Sequence, residues 1–589
     1  MSRSPAPSSA PFPAAALPRT RSHHGPPAPS RAGRGSPGSW SAVFLLLALL
    51  SASLTQSALA QEQPLQLGAT IPDFPVADVV PGLRGSAVTA GPGNVLERFP
   101  IEVLAVQHEA TLGFPLVLIR ASGSFIERTG GVAAGMSGSP VYLPTPLGDA
   151  LLGAIAYVFA FADHDLALVT PIGAMREGAA SAALGATIAV PGIGTATPVA
   201  TPILMSGASQ RTAQFLRQLF RDPSVTPLPI QGAASAAADE QFHLTPGAAI
   251  GIQLLRGDID LTAVGTVTAI EDGSILAFGH PFLGIGAVSL PIVPAYVTAV
   301  VPSLELPFKL ANVGQRLLGT ATQDRPSAVT GRVGLEPAMI PVTVTLSGAV
   351  SDSNWRFDVA DDERLYPILT AIGVLGLVDR QLRQVGPGYA ELAWQIDLQD
   401  GTRVNVLEQV NTGSDLSLAV AQLAGGPLAI LAANAFREPG LAAVSLSLNL
   451  STDQNVATIE DAVLEEAELV AGGHAIVHVR LQPFRQAAVV RTLSIPLPDD
   501  LSGEYSLLIR GGDVGRVSPR LPEERADEEV DQPRSFSELL DALREQQQAS
   551  ELVVESIDDQ GNIRRLLRLV LPFVVEESKE LTVEIAERP

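Results

Sequence analysis

Short apolar runs of β type, separated by Gly and Pro, occupy residues 61–346 and limit most strongly what the chain can fold into. Ile101–Val106, Leu116–Ile119 and Ala263–Ile270 are three of these runs. The 53 glycines and 47 prolines of the chain favour turns and interrupt helices. Many short strands at close spacing predict barrels or sandwich layers, so the expected fold class is mainly β.

Changes in this pattern divide the 589 residues into four parts. Residues 1–60 are expected to be a signal peptide with a basic N-terminal extension, and residues 61–346 to be the first β-rich domain. Residues 347–451 mix strands with a helix and predict an accessory α/β domain. Residues 452–589 alternate again and predict a β-rich, sandwich-like C-terminal domain.

A few helices are predicted within these parts. Thr212–Phe220 places three large apolar side chains on one face, and Tyr366–Val378 is apolar enough to be a buried helix. A third helix is expected to begin at Ser535, because Glu538 follows it at the spacing of a capping box.

The N-terminus has the features of an export signal. Residues 1–40 contain five arginines and no acidic residue, Ala42–Leu50 is a short apolar run, and an A-x-A pattern ends at Ala60. This order predicts a secretory signal peptide cut near Ala60, and hence an exported protein in the periplasm or outside a bacterial cell. The alternative is an N-terminal membrane anchor, although a spanning helix needs about 20 residues. No transmembrane segment is expected after signal removal.

The charge and the lack of cysteine exclude several classes of function. The formal net charge is −23, and removal of the basic extension makes the remainder more acidic still. Phosphate backbones repel such a chain, so nucleic-acid binding is not expected. Without cysteine there is no disulfide, no thiol nucleophile and no Cys-ligated metal centre. No cofactor is required, and no metal is expected.

The strongest signal for chemistry is the segment Gly135-Met-Ser-Gly-Ser-Pro140. Its glycines let the backbone turn sharply and present Ser137 on a tight loop between strands. The amides of Gly135 and Ser137 can then converge on one point as an oxyanion hole. The alternative is a Gly-rich hairpin whose serine is incidental.

A serine nucleophile needs a base, and His280 is the histidine that stands out. It lies between Gly279 and Pro281, directly after a strand–turn unit. A histidine in this position projects from a rigid strand end, although a structural turn histidine is the alternative.

Two other groups of ionisable residues are weaker candidates. His474 and His478 lie four apart on an alternating segment and hence on the same face of a strand. A metal pair is conceivable there, but ordinary surface residues are the favoured interpretation. Asp163-His-Asp165 is interpreted as a solvated loop, with a metal-binding or orienting role as the alternative.

The blocks around Ser137 and His280 resemble those of the stage IV sporulation protein B (SpoIVB) family of serine peptidases. The matching blocks are Phe99–Leu104, Ile126–Pro140, Val264–Thr268, Phe278–His280 and Gly319–Pro326. The resemblance implies a two-barrel, chymotrypsin-like core, with Ser137 as nucleophile and His280 as base. It also implies an endopeptidase that acts on protein or peptide substrates and cleaves itself.

The chain departs from that family in several ways. In the sporulation peptidases the histidine block precedes the serine block, whereas here Ser137 precedes His280, so the blocks look circularly permuted. A site in the seam between two barrels tolerates this, because both loops can reach it in either order. No PDZ-like segment is evident, and the region after Leu346 has no counterpart, so a sporulation role is not carried over.

A triad also needs a carboxylate that fixes the tautomer of the histidine. The sporulation peptidases have an acidic residue shortly before the nucleophile, and this chain has Ser122 at that place. Asp324 is the predicted acid, because its block is expected in the same barrel as His280. The alternatives are Asp163, Asp165, Asp272 and a dyad in which a backbone group or water orients the histidine.

Two functions from other classes remain alternatives to an exported serine endopeptidase. One is a catalytically inactive binding protein that keeps the peptidase fold. The other is a cell-envelope scaffold in which the β domains carry the function.

Overall fold

Strands dominate the structure, which is a computed structural model, and the prediction of a mainly β fold is confirmed. The structure describes residues 71–109, 112–159, 163–177, 188–190, 194–220, 225–229, 236–303, 306–465, 468–512 and 533–588. The signal peptide predicted within residues 1–60 lies outside these ranges.

Six antiparallel strands close the first barrel. They are β1 (Arg84–Ala90), β2 (Leu96–Glu109), β3 (Phe114–Ala121), β4 (Pro140–Thr145), β5 (Gly148–Phe159) and β6 (Leu166–Pro171). The order β4-β1-β2-β3-β6-β5 returns to β4, where Pro140 faces Ala154. Helix α1 (Ser124–Thr129) lies between β3 and β4, and α2 (Ile172–Glu177) follows β6. Strands β7 (Ile188–Val190) and β8 (Gly194–Pro198) extend the sheet from β5.

A second barrel follows, and it is also closed by six strands. The segments in this part are β9 (Thr201–Ser206), α3 (Gln210–Phe220), β10 (Val225–Pro229), α4 (Ala236–Gln241), β11 (Ala249–Gly257), β12 (Asp260–Glu271), β13 (Ser274–Ala277), β14 (Gly286–Val301), β15 (Phe308–Val313), β16 (Gly319–Arg325) and β17 (Ala328–Val333). The order β12-β13-β17-β16-β14-β11 returns to β12, while β15 pairs with β14 outside the closed ring. The two-barrel core that the resemblance implied is therefore present.

The next layer continues the sheet of the second barrel. Its segments are β18 (Met339–Gly348), β19 (Ser353–Ala360), α5 (Tyr366–Leu382), β20 (Gly388–Leu398), β21 (Arg403–Thr412), α6 (Leu416–Ala424), α7 (Gly426–Ala432) and β22 (Leu441–Ser451). Strand β11 pairs with β19, so that Leu255 faces Val359. One hydrophobic core joins the barrel to this layer. The predicted domain boundary between residues 346 and 347 falls inside β18.

The C-terminal part forms two sheets around a separate core. Its segments are β23 (Val456–Leu464), β24 (Leu469–Val470), β25 (His474–Pro483), β26 (Val489–Pro496), β27 (Gly503–Gly511), α8 (Phe536–Arg544), β28 (Glu551–Ile557), β29 (Ile563–Val570), β30 (Val574–Glu576) and β31 (Ser578–Ala586). Helix α8 begins as predicted, because the Ser535 hydroxyl accepts a hydrogen bond from the Glu538 amide at 3.2 Å. Among the helices described, none has the length and apolar character needed to cross a bilayer.

The shared core of the second barrel and the following layer leads to a stability prediction. Phe357 of β19 is buried and packs against the helix α5 at Gly373. We expect Phe357→Ala to lower the free energy of unfolding by about 3–5 kcal/mol, because it leaves a cavity in this core. Phe436→Ala is the control: it removes a side chain that is 41% exposed and should change the free energy of unfolding by less than about 0.5 kcal/mol. Urea unfolding followed by circular dichroism measures both, and equal effects would contradict the shared core.

Candidate active site in the seam between the barrels

The serine turn, residues 133–139, connects α1 to β4 at the edge of the first barrel. Gly135 and Gly138 have φ of 86° and 91°, in the left-handed region that favours glycine. The predicted sharp turn around Ser137 is therefore present. The Ser139 hydroxyl donates back to the carbonyl of Met136 at 2.6 Å and closes the turn.

Strand β12 of the second barrel holds this turn through three hydrogen bonds. The Thr266 amide donates to the Ser137 carbonyl at 2.8 Å, and the Thr266 hydroxyl donates to the Gly135 carbonyl at 2.9 Å. The Thr268 hydroxyl donates to the Gly138 carbonyl at 2.7 Å. A Cβ on Gly138 would lie 1.9 Å from the Thr266 carbonyl oxygen, so no other residue fits this close approach. The serine turn of the first barrel thus rests on the wall of the second.

The histidine loop, residues 278–285, connects β13 to β14 in the second barrel and lies against the first. The Thr170 hydroxyl of β6 donates to the Gly279 carbonyl at 2.6 Å. A Cβ on Gly279 would lie 3.4 Å from the Ile155 carbonyl oxygen. That same oxygen accepts a hydrogen bond from the Gly138 amide at 2.8 Å. The serine turn and the histidine loop therefore meet on β5, although they are far apart in the chain.

Backbone strain lies directly before the histidine. Phe278 has φ of 68°, which is uncommon for a bulky residue. Strained conformations of this kind cost about 1–3 kcal/mol and occur preferentially at functional sites. The ring of Phe278 packs edge-on against that of His280, with centroids 6.1 Å apart.

The tautomer of His280 follows from its backbone contact. Its side chain is buried, and Nδ1 lies 2.7 Å from the Pro281 carbonyl oxygen. Because a carbonyl can only accept, Nδ1 carries the ring proton and Nε2 has the basic lone pair. This is the tautomer that a general base acting through Nε2 requires.

The Ser137 hydroxyl is sealed inside the seam. The side chain is 0% exposed, and its Oγ has no hydrogen-bond partner among the residues that the structure describes. A hydrogen bond between Ser137 and His280 is therefore not formed in this structure. Catalytic hydrogen bonds are often long before substrate binds and shorten in the complex.

The predicted oxyanion hole needs a correction. The Gly135 amide donates to the Ala200 carbonyl at 3.1 Å, so it is not available to an oxyanion in this structure. The segment between β8 and β9 brings Ala200 to the serine turn, and the local pattern of the turn does not reveal this contact. Of the two predicted donors, the Ser137 amide remains.

Asp324 is near the histidine loop but does not hold the imidazole. Its carboxylate accepts hydrogen bonds from the amides of Phe282, Leu283 and Gly284 at 2.8, 2.6 and 2.7 Å. Burial raises the pKa of Asp324, and these backbone hydrogen bonds oppose the shift. The carboxylate that was predicted to orient the imidazole instead binds the backbone of the histidine loop, because β16 places Asp324 beside the start of β14. Asp324 positions the histidine loop.

Two of the alternative acids lie elsewhere in the first barrel. Asp163 and Asp165, with His164 between them, line a concavity of about 380 Å³ beside Gly131. Asp165 also pairs with Arg120 at 3.2 Å. These carboxylates border the segment that precedes the serine turn.

The remaining candidates take no part in the seam. Asp272 is exposed in the turn between β12 and β13. His474 is exposed on β25, and His478 Nδ1 lies 3.0 Å from the Thr492 hydroxyl. The described residues contain no cluster of three or more side chains able to bind a metal ion.

A buried lysine that was not predicted lies behind the serine turn. Lys309 of β15 is 0% exposed, and its Nζ donates to the hydroxyls of Thr89 at 2.7 Å and Thr266 at 3.2 Å. Burial lowers its pKa from 10.5 to about 7. Two signals in the sequence could have found it. The chain has only one other lysine, Lys579, and the alternation of β15 places Lys309 on the same face as Ala311.

No family model, curated protein or solved structure matches the chain. The resemblance to sporulation peptidases therefore stays a prediction, and the function has to be argued from the geometry of the seam.

The close approach of Gly138 to β12 predicts a large and specific effect of a single methyl group. We expect Gly138→Ala to lower the free energy of unfolding by about 3 kcal/mol or more, because Cβ would overlap the Thr266 carbonyl. Gly82 is the matched control, since its φ is 88° and nothing lies within 4 Å of an added Cβ. Gly82→Ala should cost about 1 kcal/mol. Similar midpoints for the two variants in urea would refute the contact.

The buried amine of Lys309 predicts a pH dependence of stability. Its pKa is about 7 in the folded chain and 10.5 ordinarily, so the unfolded chain binds more protons between these values. The free energy of unfolding of the wild-type chain, minus that of Lys309→Met, should therefore increase between about pH 7 and about pH 10.5. The increase should be at most about 1.4 kcal/mol per pH unit. Urea unfolding at several pH values measures the difference, with Lys579→Met as the control. A flat or falling difference would contradict a buried amine that loses its proton.

Proposed function

We propose that the chain is an exported serine endopeptidase of the stage IV sporulation protein B type, in which Ser137 attacks and His280 is the base. The observation that carries this proposal is the buried Ser137 hydroxyl, which has no partner among the described residues and lies on a turn packed beside the histidine loop. On this proposal, the arrangement in which Ser137 is 0% exposed is a closed form of the site. Protein or peptide chains are the proposed substrates, and the chain's own segments are included.

An unpaired buried hydroxyl is costly, and this supports a chemical role for Ser137. Burial of a hydroxyl without a hydrogen bond costs about 1–3 kcal/mol. Ser327, Ser417 and Ser550 also have such hydroxyls, so it is the position of Ser137 beside the histidine loop that distinguishes it. Neighbouring Ser139 shows the ordinary arrangement, because its hydroxyl contacts both the Met136 carbonyl and the Thr89 hydroxyl. A nucleophile has to keep its hydroxyl available for reaction, which explains why Ser137 lacks such bonds.

The proposed reaction uses donors and acceptors of the serine turn and the histidine loop. His280 Nε2 takes the proton of Ser137 while the Pro281 carbonyl holds Nδ1–H and stabilises the imidazolium. Ser137 Oγ adds to the peptide carbonyl, and the Ser137 amide donates to the developing oxyanion. His280 then passes the proton to the leaving amine, and water releases the acyl group by the same steps. A backbone carbonyl thus performs the orienting role that was predicted for Asp324.

Two contacts of the closed form must change before substrate can react. Ser137 is 0% exposed, so the seam has to open for a peptide to reach it. The hydrogen bond from Gly135 to Ala200 also has to break before Gly135 can serve as a second oxyanion donor. Both changes involve the seam between the barrels and leave the cores of the barrels intact.

A fluorophosphonate probe, which modifies activated serines, tests the proposal. We expect the mature chain to be labelled slowly, because the site opens only transiently, and Ser137→Ala to remove the label. His280→Ala should slow labelling by about 100-fold or more, since general-base catalysis contributes that much. Ser414→Ala, a change at an exposed serine, is the matched control and should be labelled like the wild-type chain.

The burial of Ser137 and the bond from Gly135 to Ala200 also favour a second candidate. This is an exported binding protein that keeps the peptidase fold without catalysis. Labelling in urea concentrations just below the unfolding transition separates the two, because partial opening exposes the seam. A chain that stays folded by circular dichroism and is never labelled at Ser137 would be the binding protein.

The unpaired hydroxyl predicts opposite effects of two neighbouring substitutions. We expect Ser137→Ala to raise the free energy of unfolding by about 1 kcal/mol, because it removes a buried polar group that makes no hydrogen bond. Ser139→Ala should lower it by about 1–2 kcal/mol, because it leaves Thr89 and the Met136 carbonyl with one partner fewer. Thermal unfolding of the two variants measures both. A destabilised Ser137→Ala chain would show that the hydroxyl has a structural partner.

A further inference from the structure

Lys309 places an amino group in the seam with no counter-charge among the described residues. Its amino group lies between Thr89 of β1 and Thr266 of β12, behind the serine turn. No carboxylate of the described residues pairs with it. The backbone of β15 also holds the turn, since the Lys309 amide donates to the Ala134 carbonyl at 2.9 Å. An arrangement of this kind requires a reason, because a buried unpaired charge is expensive.

The first hydroxyl chain runs from Lys309 through Thr89 to the turn. A carbonyl can only accept, so Ser139 donates its single hydrogen to Met136. The contact of 2.9 Å between Ser139 and Thr89 then has Thr89 as the donor. The Thr89 oxygen in turn accepts from Lys309 Nζ. Each group in this chain therefore donates to the next, from the Lys309 amine to the Met136 carbonyl directly before Ser137.

The second hydroxyl chain runs through Thr266. Its hydroxyl donates to the Gly135 carbonyl, so its oxygen accepts from Lys309 Nζ at 3.2 Å. Together the two chains fix the carbonyls of Gly135 and Met136, the two residues before Ser137. They use two N–H donors, which is the number that an uncharged amine has. A charged ammonium would bring a third donor with no acceptor among the described groups around it.

We propose that Lys309 is a positioning residue for Ser137, and that its uncharged amine holds the serine turn in place through Thr89 and Thr266. This inference rests on the proposed function of Ser137. The choice of lysine supports it, because the chain has two lysines and otherwise uses arginine, which stays charged in proteins. Unlike arginine, lysine can give up its charge here and still supply two N–H donors.

Protonation of Lys309 loosens the turn and lowers the reactivity of Ser137. The groups that face the amine are the hydroxyls of Thr89 and Thr266, the backbone of Gly135 and, on the neighbouring strand β14, Val300. None of these is charged, so the amine titrates without a local partner. His280 is the other group of the site that has to lose a proton before Ser137 reacts.

The pH profile of fluorophosphonate labelling tests this role. At about pH 5 to 6, below the pKa of about 7 of Lys309, the logarithm of the labelling rate of the wild-type chain should rise with a slope that approaches two, because two protons must leave, and the rate should level off toward pH 9. In Lys309→Met the slope should fall to one. At high pH the labelling rate of this variant should be lower than that of the wild-type chain by at most about 10-fold. Thr370→Val is the matched control, since it removes a buried hydroxyl–carbonyl bond within α5 and should keep the slope of the wild-type chain.

Amide hydrogen exchange supplies a readout that does not depend on catalysis. In Lys309→Met, amide exchange should increase in peptides covering residues 130–140 and stay unchanged in residues 114–121 of β3. A general loss of stability would instead increase exchange in both segments. Thr89→Val and Thr266→Val should each give part of this local increase. Unchanged exchange in residues 130–140, or a slope of two in Lys309→Met, would overturn the inference. If the wild-type chain is never labelled but Lys309→Met still shows the local increase in exchange, the proposed peptidase activity is wrong. The structural role of Lys309 in holding the serine turn would still be supported.

Discussion

The contact between the serine turn and β12 is the interaction on which the rest of the site depends. The backbone of residues 135–138 approaches Thr266 so closely that a glycine is required at position 138. This contact joins two barrels that each close on themselves, and it places a loop of the first beside a loop of the second. Because both loops also rest on Ile155 of β5, a shift of either barrel changes the geometry of Ser137 and His280 together.

Polar groups in this seam serve mainly to hold backbone, and few of them are arranged for chemistry. Thr170 and Asp324 bind the histidine loop, while Thr266 and Thr268 bind the serine turn. Ser137 is the exception, since its hydroxyl is buried without a partner in the described structure. For the proposed role of Ser137 as nucleophile, a rigid frame around one hydroxyl is the arrangement that preorganised catalysis requires. The closed seam makes this frame inaccessible until it opens.

The sequence predicted those features that depend on local pattern. Alternating runs with Gly and Pro between them predicted the strands, and the glycines around Ser137 predicted the turn, because positive φ favours glycine. The contacts of Gly135 with Ala200 and of Asp324 with the histidine loop could not be predicted, since each joins segments whose pairing follows from barrel closure. The burial of Lys309 was missed for the same reason. The site's position between the barrels came from the resemblance and not from composition.

Strand β11 takes part in two structures at once. It closes the second barrel by pairing with β12 and β14, and its last residues pair with β19 of the following layer. Loss of the layer alone during evolution would leave the backbone of residues 255–257 without its β19 partner and expose the apolar side chains of the shared core. Barrel and layer therefore have to be inherited as one piece, and α8 ties the C-terminal sheets to them, because its Leu540 and Leu543 lie in the same core.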